Sequence, residues 1–219
     1  MQFGFVCAET EAVPSAVRSL CERVAFEHRV FTRWINPGPG GPFVDFLDYH
    51  GFQGDAAEIP LTDEVADLAT MVVDKYTYSP FVGTDLERNL RELDVRTVVV
   101  CGIDTAVCVL SAAVGLFDRN FRPLLVSDAS ASMGGPDIHQ AGLDVLARTI
   151  GPHNIVTGDD LAARWGEMHA VLSCRTLARL LIRRSARARG ATSRKCRSQS
   201  RPYWTGRLGR RQRCGTSSR

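Results

Sequence analysis

The sequence predicts a doubly wound α/β fold, in which a mostly parallel sheet carries helices on both faces in a Rossmann-like, three-layer arrangement. Two observations predict it. Up to about residue 165, short Val-rich runs alternate with segments of helical periodicity, and those runs are apolar along nearly their whole length. Near-continuous apolar runs are typical of strands buried on both faces of a parallel sheet. The alternation favours the crossover connections that parallel strands require.

Five strands are predicted, each a short run between turn residues or charged residues. They are RVFTRWI at 29–35, MVVDK at 71–75, TVVVCGI at 97–103, PLLVSDA at 123–129 and the weaker NIVTG at 154–158. The chain opens with MQFGFV, so no strand precedes the first helix, although a βαβ unit needs one. We therefore expect a sheet whose first strand is missing.

Four helices are predicted from apolar residues that recur every three or four positions. Three of them span Val13 to Val24, Leu86 to Leu93 and Ile138 to Leu146. The fourth begins at Thr105 or Ala106. The Gly- and Pro-rich section 36–62 is a long connection, which we expect to shape the rim of an active site.

Charge divides the chain into two parts near Gly166. Residues 1–166 hold 12 Lys and Arg against 23 Asp and Glu, whereas residues 167–219 hold 15 against 1. We predict one folded domain over 1–166 and an Arg-rich tail over 167–219 that is disordered or the product of a shifted reading frame. The alternative is a nucleic-acid-binding arm, because 15 basic residues would bind phosphates at low salt.

Composition excludes several classes of protein. The 219 residues, 44% of them hydrophobic, suffice for one domain with a sizeable core. They contain no apolar run long enough for a transmembrane helix, and the chain does not open with a secretory signal. Seven irregularly spaced cysteines without a CxxC pair argue against a disulfide framework and against structural zinc. We expect reduced thiols and a cytoplasmic location.

Two cysteines lie close together, and they differ in their predicted surroundings. Cys101 lies inside a strand, where a buried thiol is typically inert. Cys108 follows the strand by a tight turn, at the start of a helix. Backbone N–H groups and the helix dipole favour a thiolate there and can stabilise an oxyanion. Cys108 is therefore the candidate nucleophile, with a merely buried cysteine as the alternative.

Lys75 is the only lysine in residues 1–166 and ends a predicted strand. At the carboxyl end of a central strand, its ammonium group would lie near the thiol and stabilise a thiolate. The alternative is a strand-end lysine that points into water.

The residues around these two positions resemble the isochorismatase-like superfamily of cysteine hydrolases, which includes nicotinamidases and N-carbamoylsarcosine amidases. The resemblance rests on Lys75 before an S-x-F-x-x-T-x-L segment, on a G-[IV]-x-T-x-x-C turn that ends at Cys108, and on a later strand that ends in Asp-Ala. It covers about residues 1–166. It implies a parallel sheet flanked by helices and a triad of Asp, Lys and Cys that acts without a cofactor.

The resemblance also implies roles for individual residues. Cys108 is the nucleophile and Lys75 the cation beside it. The peptide bond between Ile103 and Asp104 is the family's cis bond, and the N–H groups of Asp104 and Cys108 form the oxyanion hole. The reaction would pass through a thioester-type intermediate. Trp34 and Phe81 are the candidate walls of the substrate pocket, with a place in the core as the alternative for either.

The sequence departs from the family pattern at its start. The family's aspartate ends a strand and is followed by Met-Gln, so Met1 and Gln2 align just after the expected aspartate. We expect that translation starts upstream or that the gene is damaged, and that the absence of this residue impairs catalysis. Metal-binding relatives carry Asp-x-His where this chain reads RWIN at 33–36, so no metal is expected. His28, His50, His139 and His153 are expected at the surface.

We therefore predict a metal-independent, cofactor-free cysteine amidohydrolase that acts on a small amide or carbamoyl compound. We also predict that it forms a homo-oligomer and does not bind a membrane. Two alternatives stay open. One is a non-catalytic remnant or small-molecule-binding protein of the same fold. The other is a nucleic-acid-binding protein, which applies only if the basic tail is genuine.

Overall fold

A computed structural model describes residues 1–165 of the chain. The predictions for residues 167–219, namely a disordered tail, a frameshift product or a nucleic-acid-binding arm, lie outside the described residues. So does the domain boundary predicted near Gly166.

All five predicted strands are present. They are β1 Val30–Trp34, β2 Met71–Lys75, β3 Thr97–Ile103, β4 Arg122–Ala131 and β5 Ile155–Val156. Every pairing between them is parallel: β1 with β2, β3 with β4, and β4 with β5. The predicted parallel α/β fold is therefore confirmed, but the strands form two separate sheets, β1-β2 and β3-β4-β5.

Helices connect these strands in the predicted order. They are α1 Val13–Arg23, the short α2 Pro42–Asp45 and α3 Asp63–Ala66, α4 Leu86–Glu92, α5 Leu110–Asp118 and α6 Pro136–Ile150, with a further helix at 158–165. One turn of π-helix, Thr105–Val109, joins β3 to α5. No helix among residues 1–165 combines the length and the apolar character needed to cross a bilayer.

The helices pack on both faces of the sheets, as β4 illustrates. Leu124 and Val126 pack in a core cluster with α1, whereas Leu125 packs with residues of α5 and α6. Successive side chains of a strand point to opposite faces of the sheet, so these three consecutive residues contribute to two core clusters. All three residues are buried.

A gap separates β1 from β3. Residues of both strands line one cavity of about 320 Å³, which extends to Lys75 and Cys108. Val30 at the start of β1 and Val98 near the start of β3 pack against the same core cluster, so the amino ends of the two strands also lie together. The two sheets therefore run in the same direction on either side of the gap.

The first residues of the chain close one end of this gap. The side chain of Gln2 is buried and hydrogen-bonds both backbone groups of Trp34: its Nε2 donates to the carbonyl at 2.8 Å, and its Oε1 accepts from the N–H at 2.6 Å. Gln2 also forms an antiparallel bridge with Leu61. Its carboxamide thus occupies the place that a peptide group of a neighbouring strand would take.

The connection over residues 36–62 folds back on the end of β1. The buried Asn36 holds it, since its amide donates to the carbonyls of Tyr49 at 2.9 Å and Gly51 at 3.0 Å. Phe43 and Phe52 of this connection pack against the indole of Trp34, with ring centroids 4.7 and 5.1 Å away. The connection therefore forms an aromatic wall beside the carboxyl end of β1.

Candidate active site

Lys75 and Cys108 meet at the carboxyl ends of β2 and β3. The Lys75 Nζ lies 3.5 Å from the Cys108 Sγ and donates hydrogen bonds to the carbonyls of Thr77 at 2.9 Å and Tyr78 at 3.0 Å. Lys75 is only 3% exposed. Burial lowers the pKa of Lys75, and the adjacent Cys108 opposes this shift. The two carbonyls thus fix a desolvated amine beside the sulfur.

Cys108 is presented by the π-helical turn. The carbonyl of Asp104 accepts hydrogen bonds from the N–H groups of Val107 at 3.2 Å and Val109 at 3.0 Å, but not from the Cys108 N–H between them. π-Helical turns are rare and frequently occur at functional sites. The sequence placed the helix start correctly at Thr105, but one π turn has too few residues to leave a periodic signal.

The Asp104 side chain anchors this turn to the segment after β4. Its Oδ1 accepts from the Ala106 N–H at 2.9 Å, and its Oδ2 accepts from the Ser132 hydroxyl at 2.8 Å and the Met133 N–H at 3.0 Å. The family resemblance implied a role only for the Asp104 backbone. Its position just before a helix was the available signal, because Asp is a favoured N-cap residue.

The peptide bond between Ile103 and Asp104 is cis, at the position that the family resemblance implies. Together with the π turn, it sets the backbone of Asp104 and Cys108 at the corner between β3 and the following helix.

Cys101 lines the same cavity from within β3. Burial raises the pKa of Cys101 to about 12. An ordinary cysteine titrates near 8.5, so Cys101 stays protonated at neutral pH, in agreement with its interpretation as an inert thiol.

The α-amino group of Met1 is a further titratable group of the site, which no pattern in the sequence indicated. Burial lowers its pKa to about 6, and it also interacts electrostatically with Cys101, Lys75 and Cys108. The nitrogen of Met1 therefore belongs to the same electrostatic site, which is where the family resemblance places the residue before Met1.

Of the two predicted pocket walls, Trp34 and Phe81, only Trp34 lines the cavity. Trp34 lines the cavity, is 6% exposed, and has an Nε1–H without a hydrogen-bond partner among the described residues. Phe81, in contrast, is not among the residues that line the cavity and packs in the core with Leu116. This corrects the expectation for Phe81. The reason is Gly115, where a Cβ atom would lie 2.9 Å from the Phe81 ring, so α5 comes close enough to cover the ring.

His139 is a second correction, because it is half-buried and not simply at the surface. Its Nδ1 lies 2.8 Å from the hydroxyl of the fully buried Thr105, at the start of the π turn. Burial lowers the pKa of His139. Within residues 1–165, no group of three or more His, Cys, Asp or Glu could hold a metal ion.

A family model described as the isochorismatase domain matches residues 1–155. Among curated relatives, Nicotinamidase 3 of Arabidopsis thaliana is 37% identical over 76 residues, which are 35% of this chain and 38% of that protein. The ureidoacrylate amidohydrolase RutB of Methylobacterium radiotolerans is 37% identical over 83 residues, which are 38% of this chain and 31% of that protein. The chain thus spans less than half the length of these two relatives.

Solved structures share the fold. An isochorismatase-like hydrolase from Alkaliphilus metalliredigens superimposes with a TM-score of 0.66 at 24% identity, covering 75% of this chain and 94% of that one. N-carbamoylsarcosine amidase from Thermoplasma acidophilum has a TM-score of 0.60 at 27% identity, covering 70% of this chain and 87% of that one.

Proposed function

The chain belongs to the isochorismatase family, and from this premise we propose that it is a metal-independent cysteine hydrolase, which cleaves the C–N bond of a small amide or carbamoyl compound. The observation that carries the proposal is the 3.5 Å contact between Lys75 Nζ and Cys108 Sγ. A buried amine beside a cavity-lining thiol favours the thiolate, which is the nucleophilic form of cysteine. The proposal includes a cytoplasmic location, where its thiols stay reduced.

The proposed reaction has two steps. The Cys108 thiol gives its proton to the Lys75 amine, and the ionised sulfur attacks the carbonyl carbon. A C–S bond forms, the C–N bond breaks, and the amine leaves with the proton that Lys75 held. Water then attacks the thioester, which releases the acid and restores the thiol. Lys75 supports the first step, because its positive charge attracts the ionised sulfur.

The N–H groups of Asp104 and Cys108 are the proposed oxyanion hole. The Asp104 carbonyl accepts from the N–H groups on either side of Cys108 in the sequence and passes over that of Cys108 itself. The anchored Asp104 carboxylate holds the turn while charge develops on the substrate oxygen.

Trp34 is the proposed pocket wall. Its buried indole offers an apolar surface to the cavity. A small planar amide would pack against it. Nicotinamide, ureidoacrylate and N-carbamoylsarcosine, taken from the names of the relatives, are the first compounds to test.

A second candidate function, a binding protein that does not turn its ligand over, is favoured by one observation. In residues 1–165, the only acidic residue among those that line the cavity is Glu27. It precedes β1, at the end of the gap opposite Lys75. The described part of the cavity therefore lacks a carboxylate that could act as general base beside Cys108.

Ammonia release from the three compounds tests the proposal, with Cys108→Ser and the matched control Cys101→Ser. We expect release with the unmodified chain and with Cys101→Ser, and its loss with Cys108→Ser. Release that persists in Cys108→Ser would overturn the proposal. Compounds that raise the unfolding temperature without ammonia release from any variant would establish the binding protein instead.

A further inference from the structure

Helix α6 packs against the π turn that presents Cys108. A Cβ atom on Gly142 of α6 would lie 3.0 Å from the Cα atom of Ala106, so the absence of a side chain lets the helix approach the backbone of the turn closely. At the end of the turn, Val109 packs with Leu146 of α6 in one core cluster. The turn therefore has both a backbone contact and an apolar contact with this helix.

His139 adds a polar contact on the same face of α6. It lies three residues before Gly142, and residues three or four apart share one face of a helix. Its Nδ1 is 2.8 Å from the Thr105 hydroxyl, at the first residue of the turn. Among residues 1–165, this hydroxyl has no other hydrogen-bond partner.

Burial fixes the direction of this hydrogen bond. Thr105 is fully buried, so its hydroxyl hydrogen cannot be accepted by bulk water. Buried polar groups are almost always hydrogen-bonded, and the neutral histidine ring has one nitrogen that accepts. The hydrogen-bond network therefore assigns Nδ1 as the acceptor and places the ring proton on Nε2.

Cys108 projects away from α6, towards Lys75. Its sulfur lies 3.5 Å from the Lys75 amine, whereas Thr105, Ala106 and Val109 contact α6. The seat of the turn on α6 consequently sets the position of the sulfur relative to the amine.

Protonation of His139 is incompatible with this hydrogen bond. A ring that carries protons on both nitrogens cannot accept, and a buried hydroxyl hydrogen is then left without a partner. Because the ring is only half-buried, protons can reach it from solvent. Burial lowers the pKa of His139, and the negative charge of Asp104 opposes this shift.

Asp104 is the one charged group that acts on this histidine among the described residues. The other ionisable side chains on α6 and on the elements packed against it make no contribution to the shift. They are Asp137, Asp144 and Arg148 on α6, Cys108 in the π turn, Asp118 on α5, Arg122 and Asp128 on β4, and His153 in the turn at 152–154.

We propose that His139 is a positioning residue for Cys108 and makes the site sensitive to acid. The neutral ring holds the π turn through Thr105. Uptake of a proton at Nδ1 breaks that bond, and the Asp104 carboxylate attracts the charged ring, so the turn loosens and the sulfur loses its place beside Lys75. This proposal rests on the proposed function, in which Cys108 is the reactive group.

The test measures the rate at which iodoacetamide labels Cys108 in the full chain between pH 7.5 and pH 5, by peptide mass spectrometry. It compares the unmodified chain with His139→Asn, whose Oδ1 can accept from Thr105 at the place of Nδ1 but does not titrate. Protonation of the thiolate slows both proteins alike, so the ratio of the two rates isolates the effect of His139. We expect equal rates at pH 7.5, and at pH 5 a rate about threefold lower in the unmodified chain.

Two variants of Thr105 test the same bond from its other end. Thr105→Val removes the hydroxyl and keeps the shape of the side chain, so labelling should be about threefold slower already at pH 7.5, without an added fall at pH 5. Thr105→Ser should restore the profile of the unmodified chain. His153→Asn replaces an exposed histidine and should leave that profile unchanged.

The outcomes separate this proposal from the proposed function. Cys101 stays unlabelled in every folded protein, so its labelling identifies a variant that does not fold, and the two Thr105 variants then decide. The same pH profile in the unmodified chain and in His139→Asn, or in the unmodified chain and in Thr105→Val, would overturn the role of His139 alone. No labelling of Cys108 in any folded protein would overturn both the reactive thiol and this proposal.

Discussion

Cys101 and Cys108 line the same cavity, but their surroundings differ. Cys101 lies in the middle of β3, where burial raises its pKa to about 12. Cys108 lies in the turn beyond the end of that strand, with the Lys75 amine 3.5 Å from its sulfur. Desolvation in the interior of the strand keeps the Cys101 thiol protonated, whereas the corner after the strand places the Lys75 amine beside the Cys108 sulfur.

The largest expected effect is the difference in alkylation between these two cysteines. A pKa of about 12 leaves Cys101 with roughly a thousandfold less thiolate than an ordinary cysteine at neutral pH. Iodoacetamide at pH 7.5, followed by peptide mass spectrometry, should therefore label Cys108 and spare Cys101. Equal labelling in the folded protein would remove the distinction. Cys108→Ser identifies the labelled peptide.

Loss of the Asp104 carboxylate should disturb the corner and leave the strand interior intact. Three hydrogen bonds to this group hold the turn, so Asp104→Ala should lower the free energy of unfolding by about 3 kcal/mol. Denaturant unfolding measures this loss. Cys108 labelling should change while Cys101 stays unreactive.

Asp118→Ala is the matched control for that variant, because Asp118 is an exposed acid at the end of α5. It should change the free energy of unfolding by less than about 0.5 kcal/mol. Equal losses in the two variants would mean that the anchoring hydrogen bonds contribute nothing specific.

The buried amine of Met1 should make the free energy of unfolding depend on pH. Burial lowers the folded-state pKa of the Met1 amine from 8.0 to about 6. Between these values the unfolded chain binds more protons, so the free energy of unfolding should rise with pH, by up to about 2.7 kcal/mol. The lowered pKa of His139 acts with the same sign at lower pH. Denaturant unfolding at pH 5.5 and 8.5 measures the sum.

Nα-Acetylation removes the Met1 charge and is the control for this pH dependence. The acetylated chain should keep only the part of the dependence that comes from other groups, such as His139. An unchanged dependence after acetylation would contradict the assignment to Met1.

The smallest effect is expected for Lys75→Met. Removal of the amine should slow Cys108 labelling about tenfold, because the sulfur loses its neighbouring charge. The free energy of unfolding should change by less than about 2 kcal/mol, since relief from burying the amine offsets the loss of the donor to the carbonyls of Thr77 and Tyr78. Cys101 labelling should not change. A large loss of stability would instead give Lys75 a structural role.

Most of the framework was predictable because its signals are local. The runs MVVDK and TVVVCGI match the observed bounds of β2 and β3 without a shift. Once the strands are parallel, the residues that follow them gather at one edge of the sheet, and this placed Lys75 and Cys108 together.

Other features depended on contacts that no periodicity reports. Phe81 belongs to the core because Gly115 lets α5 approach its ring. His139 reaches Thr105 from α6, 34 residues further along the chain. Gln2 completes the edge of β1 with a side chain in place of a backbone group. In each case the partner lies on a different element, so only the packing of elements selects it.

The sequence alone predicted the five described strands, their order along the chain and their parallel direction, and the corner at which Cys108 lies. It could do so because side-chain periodicity and turn chemistry act over a few residues. Only the tertiary structure decided that an amine 33 residues away stands 3.5 Å from the sulfur, which groups are desolvated, and that two sheet edges face an open gap. Distance, burial and unpaired edges are properties of elements that meet in space, and their free energies depend on neighbours that are remote in the chain.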